Sequence, residues 1–433
     1  MNRPPSDGTF LINRRSALGL GAAVLAAGAL AACGTDKQSA SSSSLTTSAT
    51  NDEAFDTSVL DTTAERQVAT FRNFDRLFPT RVFRADPAKT TPLSQSKKKL
   101  DGLRYNFNNA QRNIDNYVAD NRIAGLLVLK DGAIAHEQYA MGNTESSKWT
   151  SWSMAKSFVA TLVGAALADK SIASLDDPVT RYVPELKDSP YQENTIRQVL
   201  QMCSGLRWTS KPYTLYGDSD IAHLFQAAYT SRPGAVMDVI RNRPRVSAPG
   251  VKFNYANADT YVLGAVVAKA TGKNLSDYLS EKIWRRIGAE ADGYWMLDSP
   301  NGLEMGGNNL SATLRDYGRF GQFILTGGEE VLPKGWRDEA GSPQSPTTQY
   351  GKLYEEPYPM GYGYQWWALP PGVGGARGPA PTFTAQGIHG QFLYINPSEN
   401  VVVVQWAAWR ESWESPKELE FLALLDGVVN ALH

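Results

Sequence analysis

Apolar positions recur along this chain with two periods, and the two occupy different parts of it. "IAGLLVLKDGAIAHEQYA", residues 123–140, holds two strand-like runs around Asp131-Gly132, a dipeptide that suits a two-residue hairpin turn. "QFLYINPSENVVVVQWAAW", residues 391–409, gives a second strand pair around Pro397-Ser398. Between these ends the helical period dominates, from about Thr195 to Leu325, as in "YVLGAVVAKATG" and "LRDYGRFGQFILTGG". Residues 63–121 are mixed, "ASLDDPVTRYVPEL" reads as a loop, and residues 328–380 are rich in Pro, Gly and aromatic residues. "SPKELEFLALLDGVVNALH" predicts a C-terminal helix with Ser415 as N-cap and Pro416 at its first position. Strands early and late with helices between predict an α+β fold: one antiparallel sheet built from both chain ends, faced by the first and last helices, with a large helical insertion.

One helix is unusual. "TSWSMAKSFVATLVGAALADK", residues 150–170, is apolar beyond its start, yet places Ser153 and Lys156 three residues apart. Residues at that spacing share a helix face. A lysine among Phe158, Val159, Leu162 and Val163 loses hydration, which favours its neutral form and makes it a candidate base for the serine. The helix start adds N–H dipoles where negative charge would develop. The same spacing at Ser94/Lys97 and Ser96/Lys99 lies in "SQSKKKL", a solvated charged run. The competing reading of Lys156 is a core helix whose lysine snorkels to the surface.

"FNYANADTYVLG" supplies Tyr255-Ala256-Asn257 after the Pro249-Gly250 turn and at the start of a helical pattern. A tyrosine beside a lysine can act as a second base, and Asn257 can hydrogen-bond both lysine and substrate. A packed core tyrosine is the alternative. Tyr394-Ile395-Asn396 repeats the spacing, but in a strand. Tyr213, Tyr216, Trp366 and Trp367 suit a cleft or a core equally.

Composition narrows the class. Hydrophobic residues make up 42% and charged residues 20%, as in a globular protein, and 43 basic against 44 acidic residues leave no overall field to attract nucleic acid. The four histidines, at 136, 223, 389 and 433, lack metal-ligand spacing, and no nucleotide-binding glycine motif occurs, so no metal or cofactor is expected. Two cysteines, Cys33 and Cys203, are far apart in sequence. Arg14-Arg15 and the apolar run from Ala17 to Ala32 read as an export signal, and "LAAC" ending at Cys33 resembles a bacterial lipobox. That resemblance implies a lipidated Cys33, with Cys203 left as a small buried thiol; the paired arginines partly resemble a twin-arginine signal. Residues 34–55 form a Ser/Thr-rich tether.

Taken in order, Ser153-Met154-Ala155-Lys156, then Tyr255-Ala256-Asn257 about a hundred residues on, then a Gly-containing strand near the end, resemble the serine β-lactamase/penicillin-binding-protein superfamily. The nearest branch is that of class C β-lactamase-like hydrolases, esterases and 6-aminohexanoate-dimer hydrolases, over roughly residues 121–433. "SLDDPVTRYVPEL", "LQMCSGLRW", "ATLRDYGRFGQFIL" and "YGYQWW" support it. The resemblance implies an acyl-enzyme on Ser153, with Lys156 and Tyr255 as bases and the Ser153 and Ile388 amides as oxyanion hole. Asn257, Gly387 and His389 would bind substrate. The family's third motif falls at Ala385-Gln386-Gly387, where the usual cation is missing, which implies an ester or amide lacking the carboxylate that cation holds. A non-catalytic binding lipoprotein, and a true β-lactamase or DD-peptidase, are the alternatives. The expected organisation is a signal (1–33), a tether (34–55) and a hydrolase domain (56–433), with its α/β part at about 115–175 and 375–433 and the insertion at about 176–374. The protein is expected to be an exported, lipid-anchored monomer acting on a small ester, amide or peptide-like substrate, without nucleic acid.

Overall fold

In the computed structural model, which describes residues 64–211, 217–328, 330–354 and 359–433, Asp131 and Gly132 close a hairpin with φ of 52° and 76°. Positive φ at both central residues gives the turn whose twist matches the strands it joins. Its strands, Ile123–Lys130 and Ala133–Tyr139, form one edge of a seven-stranded antiparallel sheet. Next in order come Val401–Ala407, Gln391–Asn396, Phe383–Gly387, Trp367–Ala368 and Gly361–Tyr362. Both chain ends therefore build this sheet, as the sequence predicts. The export signal, Cys33 and the tether lie outside the described residues, as do Tyr213 and Tyr216.

Adjacent strand residues point to opposite faces, so Phe392 and Leu393 show what covers each side. Phe392 stacks on Phe421 of the C-terminal helix, Ser415–Leu432, at 4.4 Å between ring centroids. On that same face Tyr117, from the helix Ile114–Asp120, donates its hydroxyl to Gln405. Leu393 and Val402 face the other way and close on Gly321 of the helix Leu314–Leu325. This differs from the expectation of first and last helices: a helix from the middle of the chain covers the second face. It can do so because Leu314, Tyr317, Phe320 and Ile324 fall at helical spacing and are all buried. The C-terminal helix also starts one residue earlier than the sequence predicts. Glu414 is its N-cap, Ser415 is the first helical residue, and Pro416 the second.

A second antiparallel sheet is absent from the sequence reading. Its strands run in the order Thr80–Phe83, Gly293–Met296, Leu310–Ala312 and Trp149–Thr150. Each is four residues or fewer, too short for a period of two to register. This sheet matters to the site, because Trp149–Thr150 leads directly into Ser153. The helix Ala155–Ala168 then runs through the core, packed against the helix Asn257–Thr271. Among the described residues, no helix is long and apolar enough to cross a membrane.

Asp259, on that second helix, is fully buried and accepts a 2.7 Å hydrogen bond from the Tyr191 hydroxyl. Burial pushes its carboxyl up to about 7, partly offset by Tyr191 and Ser204. The unfolded chain releases this proton near the ordinary value of 3.8, so the native state binds more protons between roughly pH 4 and 7. Stability from this group is therefore intact at low pH and is lost as pH rises through that window, by about 4 kcal/mol in order of magnitude. Asp259→Asn keeps an acceptor for Tyr191 and removes the charge. Denaturant unfolding of both proteins from pH 4.5 to 8 checks this: the variant's advantage should be absent at the acid end and grow toward pH 8, whereas parallel curves would contradict it.

Candidate active site

Ser153 lies in a 3₁₀ turn, Trp152–Met154, that flows into the helix Ala155–Ala168. Lys156 follows in the first turn of that helix, three residues on, so the two side chains share one face. Lys156 Nζ sits 3.0 Å from Ser153 Oγ and donates a second bond, at 2.8 Å, to the Gly307 carbonyl. Both side chains are buried, Lys156 at 1% exposure. Among the described residues, no charged side chain offsets the burial of Lys156. Burial alone therefore drives its amine well below the ordinary lysine range. A neutral amine has a lone pair, so along this contact it can accept the serine proton.

The turn before the serine is strained and clamped. Trp152 has φ of +47°, a left-handed conformation that disfavours bulky residues by about 1–3 kcal/mol. Its ring is held by Phe71, Phe74 and His389, at centroid distances of 5.3, 5.9 and 5.6 Å. From the second sheet, Ser151 N–H donates to the Leu310 carbonyl and Leu310 N–H donates to Ser151 Oγ. Packing on one side and hydrogen bonds on the other over-determine the conformation.

Tyr255 comes from far along the chain, yet its half-buried ring lies 4.9 Å from Lys156 Nζ. Trp367 and Tyr362, both on the large sheet, back the ring at 5.5 and 6.2 Å. Asn257 begins its helix two residues later. Its Nδ2 donates at 2.9 Å to Asn308 Oδ1, and its buried Oδ1 has no partner among the described residues. Lys156 is thus held by a backbone carbonyl, while Asn257 holds Asn308. Trp366 is core, packed edge-on to Phe383. Cys203 is buried, and burial pushes its thiol up to about 11, so it is inert at neutral pH.

Gly387 ends its strand against the turn that holds Ser153. A β-carbon there would sit 2.3 Å from the Ser151 carbonyl and 3.1 Å from Trp152 Cβ. This near-contact brings the following Ile388 to the serine turn. Outside the strand ladder, no described carbonyl accepts from the Ile388 amide. His389 is 3% exposed, packed beside Phe71 and Trp152, with Nδ1 2.9 Å from the Trp409 carbonyl. A carbonyl can only accept, so Nδ1 carries the proton. Burial lowers this imidazole to about 4, so at neutral pH it is an uncharged prop beneath the turn. Gln386 Nε2 contacts Met360 Sδ at 3.2 Å, and Ala385 is buried. The third-motif strand thus brings neither lysine nor histidine at Ala385 or Gln386.

The segment Gly306–Asn309 had no place in the sequence reading. Its only signal is "MGGNN", two glycines and two asparagines between patterned stretches.

A buried serine–lysine contact, a tyrosine over the amine and a flanking antiparallel strand define a β-lactamase-fold serine hydrolase. The family model described as Beta-lactamase matches residues 110–426, and the chain belongs to that family. The curated 6-aminohexanoate-dimer hydrolase of Paenarthrobacter ureafaciens is 29% identical over 350 residues, covering 78% of this chain and 84% of its own. A solved structure from Bacillus anthracis, provisionally assigned as a 6-aminohexanoate-dimer hydrolase, has a TM-score of 0.74 at 22% identity, covering 87% of this chain and 96% of its own. A class C β-lactamase mutant has a TM-score of 0.53 at 17% identity, covering 72% of this chain and 94% of its own. The last two likenesses are of fold.

The close approach at Gly387 has a direct test. Gly387→Ala should force the strand end off the serine turn, costing about 1–3 kcal/mol of stability. It should slow labelling of Ser153 by a fluorophosphonate about a hundredfold, the scale of a 1 Å misplacement. Labelling at the wild-type rate would show that this contact does not set the site.

Proposed function

We propose that this protein hydrolyses an ester or amide through an acyl-enzyme on Ser153. The observation that carries this reading is the 3.0 Å contact between Ser153 Oγ and a buried Lys156 amine with no counter-charge. In the proposed reaction Lys156, with Tyr255, takes the proton from Ser153 as Oγ attacks the substrate carbonyl. Negative charge gathers on the former carbonyl oxygen, facing the Ser153 and Ile388 amides. Such donors are worth several kcal/mol, roughly 3 each, because they are already oriented. Tyr255 returns a proton to the leaving alcohol or amine as the scissile bond breaks. The same group then activates water, whose oxygen displaces Ser153 and releases the acid. Asn257 and the Gly387 edge line the bound substrate.

The neutral Ala385-Gln386 pair favours substrates that need no cation to hold a carboxylate. Similarity to 6-aminohexanoate-dimer hydrolase over most of both chains makes a short linear amide the first substrate to try. The N-terminal pattern supports export and a lipid anchor at Cys33, so the hydrolase would work outside the cell membrane.

A panel of p-nitrophenyl esters, a β-lactam and a linear 6-aminohexanoate amide tests the reaction. Ser153→Ala should lose about a thousandfold or more on every substrate that wild type turns over. Activity within about twofold of wild type would refute the serine. Preferred turnover of the β-lactam would shift the reading to a β-lactamase. A fluorophosphonate adduct mapped by mass spectrometry should fall on Ser153.

The burial of Lys156 also fixes a pH profile. Protonation removes the base, so kcat/KM should fall on the acid side, with its midpoint well below an ordinary lysine. Lys156→Arg stays charged at every accessible pH and should be inactive throughout, although it preserves the positive charge. An arginine variant active at pH 7 would exclude Lys156 as base.

A further inference from the structure

Three groups needed by the proposed reaction touch one short segment of the chain, and that segment carries no catalytic motif. The Gly307 carbonyl accepts from Lys156 Nζ at 2.8 Å. Asn308 Oδ1 accepts from Asn257 Nδ2 at 2.9 Å, while the Asn308 carbonyl accepts from the Trp295 indole at 3.0 Å. Asn309 N–H donates to the Trp152 carbonyl, and Asn309 Nδ2 to Thr150 Oγ1, both at 3.3 Å. Asn308 and Asn309 are 4% and 0% exposed. The strand that follows, Leu310–Ala312, pairs with Trp149–Thr150 just before the serine. One short segment therefore grips the chain ahead of Ser153, the Lys156 amine and the end of the Tyr255-Ala256-Asn257 motif.

The fit at Gly307 is close. A β-carbon there would sit 3.2 Å from Lys156 Nζ, 3.2 Å from Thr260 Cβ and 3.4 Å from Lys156 Cε. Any larger residue would push on the amine.

We infer that Gly306–Asn309 is a positioning strap: the Gly307 carbonyl orients the Lys156 amine toward Ser153, and Asn308 ties that carbonyl to Asn257. This rests on the proposed Ser153 reaction. The reason is the valence of a neutral amine. It has two N–H groups and one lone pair, and it rotates freely about Cε–Nζ unless something holds it. A carbonyl accepts and never donates, so it takes one N–H and restricts where the lone pair points. Side-chain acceptors could rotate away, but this carbonyl is fixed by neighbours on both sides. Gly307, Asn308 and Asn309 are positioning residues; none is assigned a contact with the reacting carbonyl.

The carbonyl also favours the ammonium over the amine, opposing burial. The titratable groups facing Lys156 are few. Tyr255 lies over it, Asp259 lies on the neighbouring helix Asn257–Thr271 bonded to Tyr191, and neither the strap nor the strand Phe383–Gly387 carries a charge.

The test uses the mature chain and hydrolysis of p-nitrophenyl acetate. Rates are counted per serine titrated to completion with a fluorophosphonate. Wild type is scored first: failure to label Ser153 would sink the underlying reaction, and the strap with it. Gly307→Ala should then lower kcat about a hundredfold with KM changed less than about threefold. Its acid limb should move to lower pH, because the added methyl pushes the ammonium off its carbonyl acceptor. Asn308→Ala adds no atoms, so it guards against a folding failure, and should change the same quantities in the same direction by less. If both variants keep kcat per labelled serine within about twofold and leave the acid limb unmoved, the inference is wrong, even where their melting temperatures fall.

Discussion

A lysine amine enclosed by protein without a carboxylate beside it is the constraint on which the rest of this structure depends. Ion pairing would hold the charge and keep the amine from its neutral form, the form the proposed reaction needs. Solvent contact would do the same by hydration. The chain avoids both by placing Lys156 in the first turn of a helix buried from Ala155 to Ala166 and roofing it with the Tyr255 ring. Its partners, Ser153 Oγ and the Gly307 carbonyl, can stay bonded to it whether or not it carries the extra proton. Such a group is expensive in isolation, which is why buried lysines are uncommon. Here the expense falls within a large core, where Phe158 stacks on Phe320 at 3.7 Å and many such contacts share the load.

The large sheet and the small one both bear on the turn that holds Ser153, and Trp149 of the small sheet also stacks on Trp406 of the large one at 5.8 Å. Gly387 presses from the large sheet, Leu310 pairs from the small sheet, and Trp152 is trapped between them with a backbone conformation it would not choose alone. The serine amide and hydroxyl inherit their positions from this junction. The candidate site is therefore built where two sheets and two helices come together, with its residues drawn from separate parts of the chain.

Legibility followed the length of each signal. The hairpin at Asp131-Gly132 and the strands around Pro397 were readable because runs of six to eight residues repeat one pattern. Ser153 and Lys156 stood out because a lysine interrupts an apolar helix, and Tyr255-Asn257 because a turn precedes and a helix follows. The second sheet was not readable, since strands such as Leu310–Ala312 have too few residues to show alternation. Nor was the Gly306–Asn309 strap, whose role comes from contacts with residues about 50 and 150 positions away. His389 was visible as a histidine near the site. Only its surroundings, two aromatic rings and a carbonyl, show it to be an uncharged support.

Phe71 and Phe74 lie before residue 110, where the family match begins, yet their rings bear on Trp152. A recombinant fragment trimmed to the family boundary would keep Ser153, Lys156 and Tyr255 intact while removing one jaw of the clamp behind the Ser153 turn. Domain borders drawn by sequence likeness and borders drawn by mechanical need do not coincide in this molecule, and the working unit reaches back at least to the helix Ala64–Arg72.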